Sequence, residues 1–172
     1  FAAQMASNSV AFISANKEVT RSNDTEYSFC QDKNFYYLTG FNEPDALLML
    51  VKSDNEAYQA TLFCRNKDPM QEVWHGRRVG PELAKEEYAF DHTFVIEDIE
   101  EQVTSTLNGL SQVYHCFSDV ELSQHVDGWI QTVAGNIKLG KKAPVAKYDC
   151  SEVIHELRLI KSDAELEIMR QI

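Results

Sequence analysis

The chain has 172 residues, 44% of them hydrophobic, and 27 acidic against 16 basic side chains give it a formal charge of −11. That surface repels phosphate backbones and argues against nucleic acid as a partner, while no apolar run approaches the roughly 20 residues of a membrane span. A chain of this length buries roughly 70% of its unfolded surface, enough for one good core. The one basic cluster, Lys138-Leu139-Gly140-Lys141-Lys142, reads as a solvated helix end and loop. The four cysteines, at 30, 64, 116 and 150, form neither C-x-x-C pairs nor a zinc knuckle. Reduced thiols in a cytoplasmic protein are therefore expected, with Cys64 and Cys116 packing as small hydrophobes at strand ends.

Phe1 and Met5 share a helical spacing that reads as the last turn of a helix starting earlier. Val10–Ser14 is a short apolar run between Asn8 and Asn16, the pattern of a buried strand. From Thr20 to Ala46 the chain interleaves six aromatic rings (Tyr27, Phe29, Phe35, Tyr36, Tyr37, Phe41) with charged residues. Disordered segments are poor in rings, so this long connection should be ordered against the fold. Its centre, Phe35–Thr39, reads as a strand by aromatic and β-branched content, ended by Gly40 and a turn at Asn42-Glu43-Pro44-Asp45.

Ala46–Val51 is wholly apolar, as in a central strand covered on both faces. A turn at Ser53-Asp54-Asn55 should return the chain into Ala60–Cys64 as a hairpin partner. Pro81 and Glu82 behind Gly80 mark a helix start, running to about Tyr88. Ile99, Val103 and Leu107 repeat at four-residue spacing before the stop Asn108-Gly109. Val113–Cys116 reads as a strand, and Glu121–Ile137 as a longer helix with Leu122, Val126, Trp129, Ile130 and Val133 on one side. Asp149-Cys150-Ser151-Glu152 has a capping-box-like spacing, and Ser162-x-x-Glu165 is a full capping box. The helix it opens has no stop signal, so the chain is expected to continue beyond Ile172. Strands mixed with helices and a hairpin predict α/β architecture with a mixed sheet covered on both faces.

Catalytic motifs are missing: there is no H-E-x-x-H, P-loop, G-x-S-x-G or G-x-G-x-x-G. Gly76-Arg77-Arg78-Val79-Gly80 resembles a phosphate loop but lacks the lysine–hydroxyl pair. The five histidines (75, 92, 115, 125, 155) are scattered, and His155-Glu156 lacks a second histidine one turn on.

Several linked blocks nevertheless share one order: Thr20–Ala46, Arg65-Asn66-Lys67-Asp68, Glu72–Gly80, Val113-Tyr114-His115 and His155–Ser162. Together they resemble the N-terminal domain of aminopeptidase P, of the creatinase/prolidase (pita-bread) metallopeptidase family, over nearly the whole chain. The resemblance implies a six-stranded mixed sheet with helices on both faces. It assigns residues 1–160 to that domain and 161–172 to a linker and the first helix of a catalytic domain. In that family two Mn2+ ions are held by two aspartates, a histidine and two glutamates of the C-terminal domain. None of those motifs maps here, so no catalytic residue, metal ligand or cofactor is expected in this chain, and alone it should be inactive.

The parent enzyme would remove the residue preceding a proline from peptides with proline second, as a cytoplasmic homo-oligomer with neither nucleic-acid nor membrane partners. The rivals are the corresponding domain of a prolidase or creatinase, and a stand-alone interaction module. Trp74 corresponds to a ring that in oligomeric relatives lines a neighbouring subunit's substrate pocket, and Asp24 to an acidic residue placed similarly. Read from residue type alone, Trp74 anchors its loop on the core, and Asp24 makes an Asx turn or pairs with Arg21. Arg77, Arg78 and Arg158 are candidates for interface or interdomain ion pairs. At Lys138, where some relatives carry arginine, lysine cannot reproduce a bidentate contact, so no role is transferred.

Overall fold

A computed structural model describes residues 1–54 and 57–171. Its strands are β1 (Ser9–Ser14), β2 (Thr20–Ser22), β3 (Thr25–Glu26), β4 (Leu47–Lys52), β5 (Tyr58–Cys64), β6 (His92–Val95), β7 (Gln112–His115) and β8 (Ala146–Asp149). The helices are α1 (Lys33–Thr39), α2 (Pro69–His75), α3 (Gly80–Glu87), α4 (Ile99–Leu107), α5 (Val120–Gly135), α6 (Ser151–Leu159) and α7 (Asp163–Gln171). Six strands make one mixed sheet in the order β6-β5-β4-β1-β7-β8, and β2 with β3 forms a separate hairpin. The pairs β1–β4 and β4–β5 are antiparallel, whereas β1–β7, β5–β6 and β7–β8 are parallel. Parallel neighbours need crossovers, and α3, α4 and α5 supply them.

The two-residue period of the strands decides which helix meets which face. Val10, Phe12, Leu47, Met49, Phe63 and Val113 point to one side, onto Val103 and Leu107 of α4 and Leu122, Val126, Trp129 and Val133 of α5. Ile13, Leu48, Leu62 and Cys64 point to the other, onto Phe35 of α1, Ala84 of α3 and Ile154 of α6. Phe12 lies opposite Met49 and Ala11 opposite Leu50, and a slip of one residue would exchange the two faces. Phe12, Phe35, Phe41 and Phe63 are fully buried, each contributing about 1.5–3 kcal/mol by leaving water. The helix-covered mixed sheet is as expected, and β4 is central with both faces buried.

One segment differs from expectation. Phe35–Thr39 is helical, the body of α1, rather than a strand. The Asp32 carboxylate accepts the N–H groups of Asn34 and Phe35 at 2.9 and 2.8 Å, and Gly40, at φ +67°, donates its N–H to Tyr36 O at 2.8 Å. A filled N-cap and a left-handed glycine C-cap outweigh the strand preference of three aromatic residues, once Phe35 is buried. The connection around it is ordered as predicted, although of its six rings Phe35 and Phe41 alone are fully buried. Tyr27, Tyr36 and Tyr37 stay exposed.

Buried Gln31 organises this connection. Its carbonyl accepts from Asn16 N and Asp32 N, both at 2.9 Å, and its amide donates to Phe41 O at 3.3 Å and Glu43 O at 2.8 Å. Flipping the amide would break all four bonds, so the network fixes its orientation.

Smaller differences follow the same logic. Ala2–Gln4 is a 3-10 turn that seats buried Met5, not an α-helical turn. The long helix α5 ends at Gly135, and Ile137–Leu139 continues as a 3-10 turn. At α6 the box suggested by Asp149 and Glu152 is not formed: Cys150 is the N-cap without a side-chain cap bond, and the Asp149 carboxylate accepts from the N–H and hydroxyl of Ser151 at 2.9 and 2.6 Å. The Ser162–Glu165 capping box is formed, with Ser162 N donating to Glu165 Oε2 at 2.8 Å and Glu165 N donating to Ser162 Oγ at 3.3 Å. Of the anticipated turn Ser53-Asp54-Asn55, Asn55 lies outside the described residues. No helix among the described residues is long and apolar enough to cross a membrane.

Candidate functional site

Trp74 does not anchor the core. It sits in α2, a helix begun by the Asp68 carboxylate, which accepts from Met70 N and Gln71 N at 2.9 and 3.2 Å, with Pro69 in the first turn. Gly76, at φ +86°, closes the helix in a conformation that side-chain-bearing residues rarely adopt. Met70, Val73 and Trp74 fall at i, i+3 and i+4 and therefore share one stripe. They are 80%, 77% and 84% exposed. A helix normally turns such a stripe inward; α2 turns it outward.

Asp24 lies in the turn of the β2–β3 hairpin, exposed, beside Asn23 at φ +49°. Among the described residues neither the Asx turn nor the pairing with Arg21 is present. The hairpin and the C-terminal end of α2 meet where His75 Nδ1 lies 3.9 Å from Glu26 Oε2. Hence the two residues singled out from sequence sit on neighbouring surface elements, each one or two positions from that contact. Glu18 joins the group, its ligand atom within 4.8 Å of those of Glu26 and His75, and it also takes a 3.5 Å contact from Arg65.

The Gly76–Gly80 segment is not a phosphate cradle. Three of its five N–H groups are already taken: Gly76 N donates to Glu72 O at 3.1 Å, Arg78 N to Glu72 Oε1 at 3.2 Å and Val79 N to Glu43 Oε1 at 2.7 Å. Arg77 is exposed and Arg78 half-buried, its guanidinium donating to Asn66 O at 3.4 Å. Arg158 is spent within the domain, donating to Asn34 Oδ1 at 2.6 Å and tying α6 to α1. Lys138 is exposed in the 3-10 turn.

A cleft of 720 Å³ opens beyond the carboxyl ends of β1 and β7, lined among others by Asp32, Asp119, Glu121, Lys17 and Cys116. In α/β sheets this edge commonly holds ligands. Here the N-termini of α1 and α5 that open onto it are already filled by their own carboxylates, Asp32 and Asp119. Lys17 is paired with Glu121. The lining thus disfavours anions. Sequence reasoning does not find this cleft, because its residues come from six separate strands and helices and the loops between them and carry no motif.

Comparison with known proteins places this geometry. The model of the aminopeptidase P N-terminal domain matches residues 1–114. The chain belongs to that family. The aminopeptidase P N-terminal fold extends over nearly all of it: the structure of aminopeptidase P from E. coli, low pH form, superposes with a TM-score of 0.94 at 37% identity, covering 99% of this chain and 39% of that one. Proline aminopeptidase P II from Yersinia pestis superposes at 0.93 with 38% identity, covering 99% of this chain and 39% of that one. In sequence the chain is 38% identical to the Xaa-Pro aminopeptidase of Escherichia coli (strain K12) over 98% of its length and 38% of that protein's. It is 29% identical to Xaa-Pro aminopeptidase 3 of Homo sapiens, over 97% of its own length and 33% of that protein's. The chain spans less than two fifths of the length of these curated relatives.

Proposed function

We propose that this domain is the non-catalytic N-terminal part of a cytoplasmic Xaa-Pro aminopeptidase, where it assembles subunits and shapes access to the active site. The observation that carries the reading is the outward stripe of Met70, Val73 and Trp74 next to the hairpin that bears Asp24. A stripe of this kind is stabilised by contact with a second surface, and a flat ring beside a carboxylate can receive a proline and attract a peptide's free amine. Residues 161–172 would lead into the catalytic domain, and exposed Ile168 and Met169 of α7 suit packing against it. Arg77, exposed just beyond the end of α2, is offered as an interface residue together with Arg78.

The parent enzyme would hydrolyse the bond before a second-position proline with two manganese ions. This chain's residues do not fit such a centre. The one grouping of possible ligands among the described residues, Glu18, Glu26 and His75, offers three donors, and Glu18 also contacts Arg65. A two-ion site built of two aspartates, a histidine and two glutamates needs five donors. Purified on its own, the chain should leave an Xaa-Pro peptide intact with manganese added; cleavage would overturn this assignment.

The decisive test is Trp74→Ala in the complete enzyme, with steady-state kinetics on an Xaa-Pro peptide, light scattering and thermal unfolding. The expected result is a raised KM or lowered kcat at unchanged Tm. Unaltered kinetics and assembly would remove the proposed role.

A further inference from the structure

Two of the four cysteines, far apart in sequence, meet at the carboxyl edge of the sheet. Strands β7 and β8 run parallel with His115 opposite Asp149, so the next residues of each, Cys116 and Cys150, are neighbours. The N–H of Cys150 donates to His115 O at 3.2 Å, which locks the two backbones side by side. Adjacent strands lie about 4.8 Å apart, inside the range of roughly 4.4–6.8 Å that a disulfide spans between Cα atoms. Both side chains turn to the same face, against the cluster of Ile13, Phe35 and Ile154, and their sulfurs lie 3.7 Å apart. Forming the bond needs the sulfurs to close to about 2.05 Å, a side-chain adjustment rather than a strand movement.

The two thiols are unequal. Cys116 is half-buried and lines the 720 Å³ cleft, whereas Cys150 is fully buried behind it. The hydrogen bond between the two sulfurs draws the Cys116 thiol down to about 7, with help from Ser151 and against burial and the Asp149 and Asp32 carboxylates. The same hydrogen bond and burial push Cys150 up. The remaining cysteines lack this arrangement. Cys64 is sealed in the core, where burial and Glu43 push its thiol up to about 12 against the opposing Arg65. Cys30 is exposed, with Lys33 Nζ 3.4 Å from its sulfur.

We propose that Cys116 and Cys150 form a redox-active dithiol site whose co-reactant is a small peroxide reaching Cys116 through the cleft. The Cys116 thiolate attacks one peroxide oxygen, the O–O bond breaks, and Cys116 becomes a sulfenic acid as hydroxide leaves and takes up a proton. The Cys150 sulfur then attacks the Cys116 sulfur. The S–S bond forms, the S–O bond breaks, and water departs with the Cys150 proton. The two thiols lose two electrons and two protons, and the peroxide is reduced to two waters. A small dithiol reverses the product by exchange. A wetter nucleophile and a buried resolving partner are the division of labour that makes oxidation stop at the disulfide.

The test is graded hydrogen peroxide on the complete native protein, followed by quenching, alkylation under denaturing conditions and mass spectrometry of the digest. A linked Cys116–Cys150 peptide, two hydrogens lighter than the pair of free peptides, should accumulate about tenfold faster than any oxidised form of Cys30. Dithiothreitol should remove it. In Cys150→Ser, dimedone should trap Cys116 as a sulfenic acid; in Cys116→Ser, Cys150 should remain fully alkylatable. Peroxide that converts wild-type Cys116 to sulfinic acid while Cys150 stays free overturns the proposal, as does modification of Cys116 no faster than Cys30. The wild-type peptide map decides the matter even if either serine variant folds poorly.

Discussion

Replacing Gln31 tests whether one buried amide holds the Thr20–Ala46 connection in place. Its side chain uses its full capacity, two acceptances and two donations between 2.8 and 3.3 Å. Gln31→Leu keeps the bulk but strands two N–H groups and two carbonyls. At about 1 kcal/mol net per bond, with water able to reach the partly buried ends, the loss should be about 3 kcal/mol. In a domain of this size that lowers Tm by roughly 6–12 °C. Gln31→Glu retains both acceptances but turns a carboxylate toward the oxygens of Phe41 and Glu43. Those oxygens favour the protonated acid in the folded state, raising its folded pKa above the unfolded value. Stability is therefore lost as pH rises through that pKa, and the Glu variant should be worse than Leu at pH 7.5 but approach it on acidification. Urea unfolding followed by fluorescence of buried Trp129 measures both. A Leu variant within 1 kcal/mol of wild type, or a Glu variant equal to Leu at pH 7.5, would refute the reasoning.

Other outcomes follow from the same structure. His115 is fully buried with neither ring nitrogen hydrogen-bonded among the described residues, and burial lowers its pKa below the ordinary histidine value. The unfolded chain takes up a proton near pH 6.5 that the folded one refuses, so stability should fall as pH drops below about 6.5, and His115→Phe should flatten that slope in urea titrations. Ile154→Ala, which opens a hole where α6 meets the sheet, should cost about 2–5 kcal/mol by denaturant midpoint. Asp32→Ala should cost about 1 kcal/mol through the loss of the α1 cap, read the same way. Oxidising Cys116 and Cys150 spans a loop of 34 residues, and loop-closure entropy predicts about 3–4 kcal/mol of stabilisation, seen as a higher urea midpoint reversed by dithiothreitol.

Much of the fold is legible because the core strands are short apolar runs whose period has only one solution. Val10–Ser14, Ala46–Val51 and Ala60–Cys64 needed no partner to be recognised. Edge strands β6 and β8 carry no such run: Lys147, Tyr148 and Asp149 are exposed, so composition leaves them silent. α1 was obscured by its aromatic residues, although Asp32 and Gly40 bracket it with the two caps a helix needs. α2 likewise has its start written in Asp68-Pro69, but the outward turn of Trp74 is a tertiary fact that residue type opposes. The meeting of Cys116 with Cys150 depends on strand register across a whole helical crossover, which no local spacing records.

Strand order also sets a timetable for synthesis. β1 leaves the ribosome about a hundred residues ahead of its parallel partner β7. At about 5–20 residues per second the first central strand waits some 5–20 s with one side unsatisfied. During that interval the β4–β5 hairpin can shield only its other flank. β1 is thus completed late, and a nascent chain paused ahead of Gln112 presents Val10 and Phe12 to whatever chaperone is near.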